Sequence, residues 1–326
     1  MSWSRRSGRR RKSPDSVAFL LDKFSAQDID RWNRFRDEIL RFHWDYYNSL
    51  AYQRSQIVED LSKTLLGAAE GPFKFSKWQR IVTYKHAVEP LSFLGSLADP
   101  GGRFNIGDIN SVQFPPFPAL YAAVDKHTAL QEVLSQNIPA GREAEALDSA
   151  LIRSDSIAVV SVSGHLDSVI NLRHPARLEA FVDLIKGFSI PVHLIQKAKT
   201  LRVASPELVR DKAKLLEILL DPSWRGWPMQ FDVPAPCQLF GQLVAKAGID
   251  GIVYPSKFGG KDCLVIFPQN FEDADVFVQL DDPSPQGVQV RRLDATTWRK
   301  AAQPSQSHES LLMRLMRLIQ GSTLGT

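Results

Sequence analysis

Four side chains in this sequence have the type and setting that chemistry asks for: Arg103, Tyr121, Glu132 and Ser256. Arg103 stands in a glycine-punctuated turn, Gly101-Gly102-Arg103-Phe104-Asn105-Ile106-Gly107. Glycines there permit backbone angles, or a close approach, that other residues resist. A guanidinium offers a rigid fork of donors to a phosphate or carboxylate. Tyr121 offers a stacking face, Glu132 a fixed negative charge and Ser256 a hydroxyl. Asn105 and Lys257 lie beside them as further binding candidates. Each also has a plainer reading. The arginine could staple a loop, the tyrosine could be core, the glutamate could sit on a solvated helix face, and the serine could close a turn.

The elements that must position these residues can be read from the pattern. After a loop through Pro115, Pro116 and Pro118, the run Ala119 to Val124 is short, apolar and strand-like. Asp125 is a good helix N-cap, and the helix after it carries Glu132. Ser256 follows a strand in Asp250-Gly251-Ile252-Val253-Tyr254-Pro255, and a Gly-containing loop leads to a strand from Cys263 to Phe267. Further strands are expected at 81–84, 156–162, 169–172 and 288–293. Helices are expected at 175–184, 208–220 and 239–247. Ile29, Trp32, Phe35, Ile39, His43 and Tyr46 recur at steps of three and four, so 25–66 should be helical and pack through that stripe. Residues 310–319 form a terminal amphipathic helix in pattern. No Gly-x-Gly-x-x-Gly opens a helix, which argues against a dinucleotide-binding Rossmann unit. No Gly-x-Ser-x-Gly surrounds Ser256 and no histidine is assignable as its base, so it is not expected to be a nucleophile.

Composition narrows the class. The chain has 326 residues, 40 basic and 36 acidic, for a net charge of +4. Residues 1–12 alone carry Arg5, Arg6, Arg9, Arg10, Arg11 and Lys12 with no acid; without them the balance is 34 to 36, or −2. The body is therefore not a nucleic-acid binder on charge grounds; only the basic tail could make a weak contact. Cys237 and Cys263 form no close pair, and the seven histidines show no ligand spacing, so neither a disulfide framework nor a metal is expected. That fits a reducing cytoplasm. No apolar run is long enough to span a bilayer.

The four residues, in this order, resemble the RES domain family. Its pattern has a Gly-Gly-Arg-aromatic-Asn loop, a Leu-Tyr-Ala strand, a glutamate about three helical turns past the tyrosine, and a serine much later in a Gly-x-Tyr-Pro-Ser-like segment. An aromatic-Arg pair often opens that domain; here Tyr84-Lys85 stands in its place, so the first basic ligand is either substituted by Lys85 or absent. The resemblance implies an α+β fold with an ADP-ribosyltransferase-like mixed sheet and flanking helices. It implies a RES catalytic domain at 73–280, and composition and periodicity add a disordered tail at 1–16, a helical N-terminal region at 17–72 and a C-terminal extension at 281–326. It also implies an enzyme that cleaves NAD between nicotinamide and ribose, with NAD as substrate rather than cofactor. Phosphate or water would be the acceptor, and the protein would act as a toxin held by an antitoxin protein. Arg103, Glu132 and Ser256 would be catalytic, with Tyr121, Asn105, Lys257 and Lys85 binding substrate. Two alternatives remain: transfer of ADP-ribose to a macromolecule, and a non-catalytic NAD-binding scaffold. A homo-oligomer is a further option for the N-terminal helices.

Overall fold

The computed structural model describes residues 26–83, 87–134, 157–204, 207–257, 259–283 and 288–302. The basic tail, the Tyr84-Lys85 pair and the helix expected at 310–319 lie outside them. The strands are β1 (Phe73–Thr83), β2 (Gly101–Gly102), β3 (Asn105–Ile106), β4 (Leu120–Ala123) and β5 (Ile157–Leu166). They continue as β6 (Val169–Asn171), β7 (Gly251–Pro255), β8 (Asp262–Ile266), β9 (Phe277–Leu280) and β10 (Arg292–Leu293). The helices are α1 (Ala26–Gln56), α2 (Val58–Ala68), α3 (Leu94–Leu97), α4 (Lys126–Leu134) and α5 (Glu179–Ile185). After them come α6 (Val192–Leu201), α7 (Lys212–Leu219), α8 (Gly226–Phe231), α9 (Pro236–Lys246) and α10 (Trp298–Ala301).

Eight strands form one sheet in the order β10-β9-β5-β1-β4-β8-β7-β6, and β2 and β3 form a separate hairpin. Only β6 and β7 run parallel; the other neighbours are antiparallel. This is a mixed α+β fold. The pleat divides each central strand between two cores. Tyr121, Ala123, Ile252, Tyr254, Cys263 and Val265 point to one face, where α2, α5, α7 and α9 pack. Leu120, Ala122, Val253, Leu264 and Ile266 point to the other, against Leu91, Phe93 and residues near the C-terminal end of the described chain.

Several elements depart from the pattern read above. β1 begins at Phe73 rather than at residue 81. It alternates Phe73, Phe75 and then, past an irregularity in register, Trp78 on the buried face. Lys77 at φ 58° accommodates that bulge, which breaks the period of two and hides the strand in sequence. The N-terminal helix is divided at Ile57. The helix expected from 208 starts at Lys212, because Asp211 caps it by accepting from Lys214 N at 2.8 Å. α6 is absent from that reading although Leu194, Ala198 and Leu201 recur at helical steps, and α8 is too short to show a clear period. Of the strand expected at 288–293, only Arg292 and Leu293 pair, on the sheet edge beside β9.

α1 lies outside the sheet and is tied to the body by Ile39, His43 and Tyr46 of the expected stripe together with Phe42, whereas Phe35 is exposed. Phe42 and Tyr46 pack with Leu194, Ala198 and Leu201 of α6. His43 stacks on Phe231 of α8 with ring centroids 3.5 Å apart, and this burial lowers its pKa to about 4. Trp44 and Tyr47 cover Phe114, in the loop that leads from the β2–β3 hairpin to β4.

Candidate functional site

The β2–β3 hairpin delivers Arg103 to the helix-covered face of the sheet. Gly101 takes φ 88°, and a Cβ on Gly102 would lie 2.3 Å from the Tyr121 hydroxyl, so both glycines are required by geometry. The Arg103 side chain is only 8% exposed. Its Nη1 donates to the carbonyls of Asp221 at 2.8 Å and Leu219 at 3.4 Å, joining the hairpin to the end of α7.

Tyr121 sits on β4 with its hydroxyl engaged twice. It accepts from Phe104 N at 3.0 Å and donates to Asn105 Oδ1 at 2.9 Å. Asn105 is 0% exposed. Its Oδ1 also accepts from Gly102 N, and its Nδ2 donates to the carbonyls of Ser96 at 2.7 Å and Phe117 at 3.1 Å. Asn105 therefore holds the hairpin in shape, and no polar atom of it faces open space. Gln238, on α9, completes the same network: its Nε2 donates to Pro100, Gly102 and Asn105 carbonyls. Buried polar groups satisfied this fully make a rigid platform. Gln238 carries no signal in sequence beyond its place in the first turn of α9.

Glu132 lies half-buried on α4, and Ser256 follows β7 at 4% exposure. The Ser256 hydroxyl donates to Glu132 Oε1 at 2.6 Å. Residues 124 positions apart are thus in direct contact. Three further bonds fix them. Thr128 N donates to Asp125 Oδ1 at 2.8 Å, capping α4, and Lys261 Nζ reaches Asp125 Oδ2 at 2.7 Å. Ser256 N donates to Lys261 O at 2.7 Å, which closes the loop after β7. Lys257 is exposed in the turn beyond Ser256. His127 is exposed on the first turn of α4.

The charges of Arg103 and Glu132 converge on one buried patch. Burial raises the pKa of Tyr254 well above its usual value; Glu132 raises it further and Arg103 opposes it. Burial likewise raises Tyr121, and it pushes the Cys237 thiol up to about 12 and Cys263 higher. Both cysteines are buried, and burial keeps them as inert small hydrophobes.

A family model described as RES domain matches residues 77–287. The chain belongs to the RES domain family. No curated protein matches it. Among solved structures, a chain of the M. tuberculosis MbcT-MbcA toxin–antitoxin complex is similar at 16% identity with a TM-score of 0.38. The alignment covers 75% of this chain and 97% of that one.

Arg103, Tyr121, Glu132 and Ser256 all fall within the RES match, whereas α1 and α2 precede it. Two more arginines of the RES domain stand out, and the sequence singled out neither. Arg80, on β1, is buried and donates to the carbonyls of Pro90, Tyr121 and Ser92 at 2.7–3.1 Å. Burial lowers its pKa to about 10, and its role is to bind two segments behind the site. Arg225 is different. It follows α7 in the segment that Arg103 anchors, with its guanidinium 4.3 Å from the Trp224 ring. Burial lowers its pKa first and the charge of Arg103 second, while Glu132 and Tyr121 act the other way. Among the described residues no carboxylate comes within ion-pair distance of Arg103 or Arg225. Two guanidiniums share one half-buried site with a single glutamate nearby, so the site is suited to an anion. Among the described residues no cluster of His, Cys, Asp or Glu could hold a metal, and no helix is long and apolar enough to cross a membrane.

The cap on α4 gives a testable pH dependence. Lys261 and the Thr128 amide hold Asp125 down at about 2, below its unfolded value of 3.8. A depressed carboxylate stabilises the fold above its unfolded pKa and loses that contribution as the pH falls through the folded one. Asp125→Ala should cost about 1 kcal/mol at pH 7, the usual worth of an N-cap. Thermal melts between pH 7 and pH 2 should show the gap to wild type narrowing below about 4. A gap that does not change with pH would rule out this role for Asp125.

Proposed function

We propose that this RES domain cleaves NAD between nicotinamide and its ribose and passes the ADP-ribosyl group to inorganic phosphate. The observation that carries the reading is the Ser256–Glu132 hydrogen bond, set beside a pair of arginines with no carboxylate partner among the described residues. When the C–N bond breaks, its electron pair goes to the cationic ring nitrogen and nicotinamide leaves neutral. No general acid is needed at the leaving group. The ribose carbon becomes oxocarbenium-like, as in glycoside hydrolysis. Glu132 supplies the negative charge that such a centre requires and an acceptor for a ribose hydroxyl. Ser256 fixes the carboxylate and presents its own oxygen to the ribose or the acceptor. A phosphate oxygen then forms the new bond at the same carbon, giving ADP-ribose 1″-phosphate.

Arg103 and Arg225 bind the anionic parts, the pyrophosphate of NAD and the incoming phosphate. Tyr121 offers its ring to the nicotinamide or ribose while its hydroxyl keeps the hairpin in place. The cellular counterpart is a toxin that drains NAD and is held in check by a small protein antitoxin.

Purified protein given NAD should release nicotinamide, and release should depend on phosphate. Release without phosphate would assign water as the acceptor, and no release in either buffer would overturn the reading. Arg225→Ala should raise KM for NAD about tenfold, the loss of one charge-assisted contact, with little change in kcat. An unchanged KM would remove Arg225 from the site.

A further inference from the structure

A cavity adjoins α7, whose Leu215 and Leu219 help to line it. It measures about 140 Å³ and opens between α1 and the helices on the sheet face. Its wall is almost wholly apolar, with Leu50, Leu61, Ile185, Leu219 and Leu243 among the lining residues. One cation reaches it: Arg54, half-buried in the last turn of α1.

Arg54, like Arg225, lacks the carbonyl partners that hold Arg80 and Arg103. Arg80 places its guanidinium donors on three carbonyls, and Arg103 places one on two. Arg54 has no carbonyl or carboxylate partner among the described residues. Its nearest polar neighbour among the described residues is Tyr47, whose ring centroid lies 5.5 Å from the guanidinium, and the hydroxyls of Tyr47 and Tyr46 both favour its charged form. The one acidic residue of the lining, Glu207, pairs with Lys214 instead. Burial lowers the pKa of Arg54, the mark of a cation taken from water without a counter-charge. Charged groups held in apolar surroundings are paired in stable structures. Arg54 stands half-buried at the edge of an apolar chamber, and no ion pair is formed by it among the described residues.

We infer that this cavity binds a small carboxylate with an apolar tail, its carboxylate on Arg54 and Tyr47 and its tail against Leu61, Leu219 and Leu243. The volume sets the size. A dry cavity of about 150 Å³ accepts one benzene, so a chain of about six carbons or a single ring fits. The site is independent of the NAD reading, because it involves none of the residues assigned to that reaction.

Hexanoate is the probe, and hexylamine, with the same tail and the opposite charge, is its control. Saturation-transfer NMR on the full chain should show hexanoate binding and no hexylamine binding. Arg54→Gln should weaken hexanoate at least tenfold, the loss of a charge-assisted pair. Leu243→Trp, which fills the chamber, should abolish binding. Thermal melts of both variants establish that they remain folded. Binding of hexylamine as tight as hexanoate would overturn the charge assignment. Unchanged hexanoate binding in Arg54→Gln or in Leu243→Trp would overturn the site, as would no binding of hexanoate by the wild-type protein at millimolar concentration.

Discussion

Glu132→Gln should lower the rate of nicotinamide release by about 10²–10³-fold, the scale on which removing one stabilising group from a charged transition state acts. Glutamine keeps the size of the side chain and can still accept the Ser256 hydroxyl bond, so the loss isolates the charge. Glu132 is half-buried on a surface helix, so the variant should fold normally. KM for NAD should barely move, because a charge that acts on the developing cation contributes little to the ground state. Ser256→Ala should cost less, about tenfold, since the carboxylate remains and loses only the bond that orients it. The measurement is a steady-state assay of released nicotinamide across NAD concentrations, with thermal melts alongside. A glutamine variant as fast as wild type would remove Glu132 from the chemistry.

Gly241→Ala should be among the most damaging single-methyl changes in the molecule. Gly241 lies on α9 where that helix crosses the hairpin, and a Cβ there would sit 1.9 Å from the Phe104 carbonyl oxygen. The clash is with backbone, so no side chain can turn aside. Either α9 moves or the hairpin moves, and overpacking of this kind costs about 1–3 kcal/mol or more. Phe104 adjoins Arg103, so a shift of the hairpin also displaces the guanidinium from its carbonyls on the α7 side. Stability and NAD turnover should fall together.

Gly67→Ala supplies the internal control. It too is a helical glycine, but nothing lies within 4 Å of its added methyl. That change should be neutral or stabilise by about 0.5–1 kcal/mol, the usual gain of alanine over glycine in a helix. Thermal melts of the two variants should shift in opposite directions. Equal shifts would show that close packing of α9 on the hairpin is not what Gly241 provides.

The resemblance carried by Arg103, Tyr121, Glu132 and Ser256 held at the level of the family, because the RES model spans all of them. The strands that bear Tyr121 and Tyr254 were legible from short apolar runs, and the cap of α4 was legible from Asp125. These are local signals, set by neighbours along the chain. β1 was read short because its bulge breaks the alternation, and α8 was missed because six residues show too little period.

What each side chain does was not local in the same way. The sequence placed Asn105 beside Arg103 as a binding candidate; the fold buries it and satisfies its amide within the hairpin. Arg225 and Gln238 had no motif to mark them, because Arg225 matters through the charges of Arg103 and Glu132 and Gln238 through the hairpin carbonyls, all distant in sequence. The sequence by itself determined the residue types, the short strands and the family. The tertiary structure alone decided that Glu132 meets Ser256, that Arg225 joins Arg103, and that Arg54 faces an apolar chamber. The physical reason is that hydrogen bonding and desolvation depend on distance in space, and a chain encodes distance in space only once it has folded.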